Sequence, residues 1–191
     1  MATMDRIKGM LLAPKAEWPK VAAEPATVQS LYTGWIMILG LIGPIAMLVL
    51  LGFVSGGFGL SAAIASYVNT LVGVAIIALI ADLIAPTFGG TRDYVASLKL
   101  VAYAATAVWV AQIALVVPIL GALVVLAGAI YSVYLLFLGA PVLHKCTGDK
   151  AVAYTIVLLL CAIVIGYLMS KILFAMLGNP MGMGAPKLGG F

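Results

Sequence analysis

Asp82 is the residue best placed to do chemistry. It stands near the end of an apolar run from Ser61 to Ala85, where an acid is costly and marks a functional hypothesis by default. A carboxylate there could take up a proton, bind a cation, or pair with Arg92 or Lys99. The plain alternative is a cap on the turn made by Pro86 and Gly89-Gly90, since Asp82 lies only a few residues from the end of its run. Asn69 and Gln112 are further polar side chains set among apolar residues. Each could hydrogen-bond across helices, worth about 1 kcal/mol, or touch a substrate. His144 has no acid, Ser or Cys beside it at useful spacing, so it reads as a solvated turn with Lys145. Cys146 and Cys161 lack metal-ligand spacing, and one His cannot complete a site. Both thiols are expected to be reduced, with no metal and no cofactor. Intramembrane hydrolases need a His pair, a Ser–His pair or paired acids, so an enzyme is not expected.

These residues are carried by an extreme composition. The chain has 191 residues, of which 65% are hydrophobic and 8% charged, and the mean hydropathy is +1.24. A soluble domain is about half apolar and about a quarter charged. The balance excludes a soluble enzyme, a secreted disulfide scaffold and a disordered tail, and leaves an all-α integral membrane protein. The net charge is +4, but the basic residues sit between apolar runs. They therefore report topology rather than a nucleic-acid partner.

Five spans are expected. The first run, Leu31 to Val54, has 24 residues and no charge, about 36 Å as a helix. Gly40, Gly43 and Pro44 predict a kink in it, and Ser55-Gly56-Gly57-Phe58-Gly59 breaks it. The second run is Ser61 to Ala85, stopped by Pro86. The segment from Pro86 to Lys99 reads as an exposed loop or interfacial helix. Leu100 to Leu143 holds no charge over 44 residues, too long for one span and suited to two. Pro118 and Gly121 place a turn between spans near Val95–Val117 and Ile119–Val142. After the polar loop His144–Lys150, the last span runs from Ala151 to Leu177, with Lys171 near its end. The expected division is a cytoplasmic segment 1–30, a membrane domain 31–177 and a flexible tail 178–191.

Orientation follows from the basic residues. Arg6, Lys8, Lys15, Lys20, Arg92, Lys99, Lys145 and Lys150 fall on one side, and only Lys171 and Lys187 on the other. Eight against two predicts a cytoplasmic N-terminus and a C-terminus on the opposite side. Within the N-terminal segment, Met4–Leu12 reads as a short helix with one apolar side, ended by Pro14 and followed by Trp18-Pro19. Lying on the leaflet explains it with lipid alone; docking of a partner through Arg6, Lys8 and Trp18 is the sharper alternative. Ala65, Asn69 and Gly73, like Gly128 and Ser132, form small faces for close helix packing or self-association.

Several stretches together resemble a known family. They are Leu11-Leu12-Ala13-Pro14-Lys15-Ala16-Glu17-Trp18, Asp82-Leu83-Ile84-Ala85-Pro86-Thr87-Phe88-Gly89-Gly90 and Ser97-Leu98-Lys99-Leu100-Val101-Ala102-Tyr103-Ala104. Tyr131-Ser132-Val133-Tyr134-Leu135-Leu136-Phe137-Leu138-Gly139 and Lys150-Ala151 complete the set. In this order, across roughly residues 5–175, they resemble the bacterial branch of the Yip family, the Ypt-interacting proteins. The resemblance implies five spans and a cytoplasmic N-terminus. It marks Pro86, Phe88, Gly89, Gly90 and Arg92 as a family-motif loop. Eukaryotic relatives bind Rab-type GTPases; with only about 30 residues before the first span, this chain is not expected to do so.

The function expected is a non-catalytic scaffold, adaptor or accessory subunit in a bacterial inner membrane. Its partners are lipids and either an unidentified protein or a second copy. The alternative is an oligomeric small-solute or ion transporter or channel component that uses Asp82.

Overall fold

The fold is given by a computed structural model that describes residues 3–55, 57–146 and 149–177. Five helices in it are long and apolar enough to cross a membrane: Val28–Leu50, Gly59–Phe88, Tyr94–Val116, Ile119–His144 and Asp149–Leu173. We call them the first to fifth spans. No strand occurs among the described residues. The expected tail, 178–191, lies outside them, as does Gly56 in the expected first break.

Each span begins or ends where its local sequence dictates. The second span closes in a 3-10 turn, Ala85–Phe88, and Gly89 follows at φ +76°, a conformation glycine adopts without a Cβ penalty. Asp93 caps the third span: its Oδ1 accepts from Val95 N at 2.9 Å and Ala96 N at 3.0 Å. Val117 is extended and Pro118 opens the next helix, matching the turn expected there. Lys145 ends the fourth span at φ +59°.

The first span is interrupted. A π-helical turn, Tyr32–Ile36, lies near its start, and the helix restarts at Ile42 after Gly40. The second break falls where Gly40, Gly43 and Pro44 predict a kink; the π turn has no such signature in the sequence. The third span is the core element, with half of it buried against 11% for the fourth and 17% for the fifth. Leu98, Leu100 and Ala102 are fully enclosed. The second, fourth and first spans pack around it, and the fifth closes against the second and fourth. Outward-facing Ile119, Ile130 and Ile163 form part of an apolar surface suited to lipid.

The N-terminal segment departs from expectation. Pro14 follows the end of the expected first helix but is not the start of a loop. It begins a second helix, so that α1 (Thr3–Leu12) and α2 (Pro14–Ala23) form a pair. Proline suits a first helical position because its missing N–H has no intrahelical partner there. The pair does not merely lie beside the bundle: α2 packs on the fourth span and α1 on the third, with Met10, Trp18 and Val21 buried.

Candidate functional site

The family-motif loop folds under the start of the fifth span. Gly90 N donates to Ala85 O at 2.9 Å, and Thr91 N donates to His144 O at 3.0 Å. A Cβ on Gly90 would stand 2.7 Å from Cys146 Sγ and 2.9 Å from His144 O, so this contact requires glycine. Phe88 meets Tyr154 edge-on at 5.9 Å, and His144 lies 5.5 Å from the same ring. Tyr154 OH donates to Ala81 O at 3.1 Å. The loop, the end of the fourth span and the start of the fifth are thus one packed unit.

His144 is the centre of that unit and is fully buried, which overturns the solvated turn expected of it. Its Nδ1 lies 3.1 Å from Thr91 O and its Nε2 3.2 Å from Ser97 Oγ. A carbonyl only accepts, so Nδ1 donates to Thr91; the Ser97 hydroxyl, which has one proton, lies within reach of both His144 Nε2 and Asp93 O, the latter at 3.0 Å. Both nitrogens are used for structure. Cys146, expected in a polar loop, is also fully enclosed, and burial pushes its thiol up from the ordinary value.

Asp82 sits at the edge of this unit. Its Oδ2 accepts from Arg92 Nη2 at 3.2 Å and Nε at 3.3 Å. The Asp82 side chain is 10% exposed and that of Arg92 is 57% exposed. The second oxygen, Oδ1, is buried without a hydrogen-bond partner among the described residues. Pro86 is exposed at the start of the loop. Gly89 faces the aliphatic and amino end of Lys150, 3.6 Å from where a Cβ would stand.

A second polar group ties the N-terminal helices to the bundle. Arg6 Nη1 donates to Glu17 Oε1 at 2.8 Å, and Arg6 Nη2 donates to Glu24 Oε2. Lys20 donates to the other Glu17 oxygen at 2.9 Å. Lys99, buried in the third span, donates to the carbonyls of Val21 and Glu24 at the end of α2, where a cation also suits the helix dipole. Tyr131 OH donates to Leu11 O at 2.8 Å at the end of α1. Trp18 is buried against the fourth span, and its Nε1 has no partner among the described residues. Of the three side chains considered for docking, Arg6 and Trp18 therefore face inward and Lys8 is exposed.

The intramembrane polar residues do not meet at one point. Asp82 and Asn69 are thirteen positions apart on one helix, about 20 Å along its axis. Gln112 lies toward the far end of the third span, its amide pressed against Gly43 of the first. Of the two small faces, Gly128 meets Ala107 and Ala111 of the third span, and Ser132 Oγ accepts from Val108 N at 3.2 Å. Gly73 has nothing within 4 Å of where a Cβ would stand. Among the described residues, no group of three His, Cys, Asp or Glu could hold a metal ion.

Sequence reasoning missed His144, Cys146, Tyr154 and Ser97 as partners of the motif loop. Tyr154 is four residues into the last apolar run, and nothing local marks it for the loop more than 60 residues earlier. Lys99 carried a better signal: a charge at the edge of a long apolar run needs a partner.

Residues 8–169, most of the chain, match the family model described as the Yip1 domain. No curated protein and no solved structure matches.

Proposed function

Because this chain belongs to the Yip1 domain family, we propose that it is a non-catalytic membrane scaffold, adaptor or accessory subunit that gathers protein partners or lipids at its basic end. One observation carries this reading. The buried charges at that end are paired or hydrogen-bonded within the chain: Arg6 with Glu17 and Glu24, Asp82 with Arg92, and Lys99 with two carbonyls. Lys8, Lys15, Lys145 and Lys150 at the same end stay exposed. Structural work occupies the first set, and the second is free to meet something outside. The bias of basic residues supports a cytoplasmic placement of this end, and we assign the chain to a bacterial inner membrane. Asp82 is paired with Arg92 and Gln112 is packed against Gly43, which gives no support to a transport role for them.

The test is recovery of the tagged full chain from native membranes in mild detergent, beside the charge reversal Lys8→Glu/Lys15→Glu/Lys145→Glu. A stoichiometric partner, or a co-purified lipid class, that the wild type holds and the variant loses supports the reading. Identical companions in both preparations would count against it.

A further inference from the structure

We infer that the face of the second span around Asn69 is an interface with a second copy of this chain, closed by hydrogen bonds between the two Asn69 side chains. The depth of Asn69 is fixed by its neighbours. Tyr67 OH donates to Met37 O at 3.0 Å, and Thr70 Cγ2 lies 3.3 Å from where a Cβ on Gly40 would stand. Met37 and Gly40 are at the middle of the first span, Val28–Leu50. Asn69, between Tyr67 and Thr70 in the second span, is therefore near the middle of the bilayer. A hydrocarbon core about 30 Å thick puts the headgroups about 15 Å away on either side, beyond the reach of so short a side chain.

At that depth a polar group without a partner is costly, because lipid tails neither donate nor accept hydrogen bonds. Tyr67 and Thr70 are satisfied within the chain, Tyr67 by Met37 O and Thr70 Oγ1 by Ser66 O at 3.0 Å. Asn69 has no hydrogen-bond partner among the described residues. It is half-buried rather than enclosed, so a partner can reach it from outside.

Chemistry and topology together select that partner. A primary amide both donates and accepts, so two of them complement each other. The bias of basic residues gives every copy one orientation in the membrane. A two-fold axis along the membrane normal then sets each Asn69 opposite its equivalent, at the same depth. The surrounding face permits close approach. Ala65 and Gly73 lie about one turn to either side of Asn69, and nothing stands within 4 Å of where a Cβ on Gly73 would be. Val68 and Val72, 53% and 43% exposed, supply apolar contact beside them. Small residues around a polar one are how membrane helices associate. The small face of the fourth span is occupied differently: Gly128 and Ser132 are packed on the third span of the same chain. The interface stands without the scaffold proposal, and either can fail alone.

The experiment measures energy transfer between donor- and acceptor-labelled full chains in liposomes, diluted with increasing lipid. The wild type is expected to dimerise. Asn69→Leu should weaken the dimer about tenfold, the scale of interhelical hydrogen bonding in a bilayer. Its monomer should melt near the wild-type temperature, because no bond within the chain is lost. Asn69→Gln keeps the amide and should restore most of the association, whereas Gly73→Leu should weaken it by holding the helices apart. Under mild oxidant, Ala65→Cys in a Cys161→Ser background should form a disulfide with its equivalent, Cys146 being enclosed. Ile163→Cys, at an exposed position of the fifth span, should not. A monomeric wild type, a dimer equally tight in Asn69→Leu, or disulfides at Ile163→Cys as readily as at Ala65→Cys overturns the assignment.

Discussion

The indole of Trp18 rests on the backbone of Gly139, so closely that a Cβ on Gly139 would stand 2.6 Å from Trp18 Cζ2. This contact joins α2 to the fourth span across 121 positions of sequence. It explains why a segment with modest apolar content is ordered: the bundle supplies a slot, and Trp18 fills it until only 1% of its surface remains exposed.

Removing either side of that contact should release the N-terminal helices. Trp18→Ala is expected to cost about 3 kcal/mol, the lower range for truncating a buried aromatic residue. Gly139→Val should cost a similar amount by overpacking. Trp18→Phe should cost less than Trp18→Ala, because Nε1 has no hydrogen-bond partner among the described residues. Limited proteolysis in detergent reads this directly through early cleavage before residue 25. Equal resistance of wild type and Trp18→Ala would show that α1 and α2 are held by other contacts.

The Asp82–Arg92 pair is unequal, and the inequality predicts an order of effects. Arg92→Ala strands a carboxylate that is mostly buried and already has one oxygen without a hydrogen-bond partner among the described residues. Asp82→Asn instead frees a guanidinium that is more than half exposed and can hydrate. Screening at the exposed partner keeps both effects modest, on the order of 1 kcal/mol. Arg92→Ala should nevertheless be the more destabilising, and Asp82→Asn should partly rescue it. Thermal unfolding of the three proteins decides. A larger loss in Asp82→Asn would mean that the carboxylate serves something beyond Arg92.

The five spans were legible because a bilayer imposes a length and a polarity that composition cannot hide. The turn at Val117-Pro118 and the restart after Gly40 were legible for the same local reason, since Pro and Gly set backbone angles by themselves. The π turn was not, because it depends on how Tyr32 and Trp35 reach the second and third spans. His144 was misjudged for a related reason. Its sequence neighbours are polar, but its contacts, Thr91 and Ser97, come from a loop and a helix about 50 residues away. Pro14 ends the first helix as expected, but that it also opens a second was not legible, because only the slot for Trp18 favours that further use.

The basic bias makes a topological prediction. A reporter fused after Lys150 should sit on the cytoplasmic side, and one inserted at Val117, between the third and fourth spans, on the opposite side. Protease protection in inverted vesicles checks both. A cytoplasmic signal at Val117 would reverse the orientation proposed from the exposed lysines.

Cys146 offers a probe of the motif loop under pH control. Its thiol is enclosed against Gly90, and burial raises its pKa above the ordinary value. The folded chain therefore holds this proton more tightly than the unfolded chain does. The associated stability is complete below the unfolded thiol's range and is lost as pH rises through the folded pKa. Maleimide labelling of Cys146 near neutral pH should be on the order of a hundredfold slower in the folded protein than in denaturing detergent, equivalent to about 3 kcal/mol of local opening. Gly90→Val, which drives a side chain into Cys146 and His144, should raise the folded-state rate steeply. A Cys161→Ser background isolates the signal. Rapid labelling of the wild type at neutral pH would show that the loop does not stay packed on the end of the fourth span.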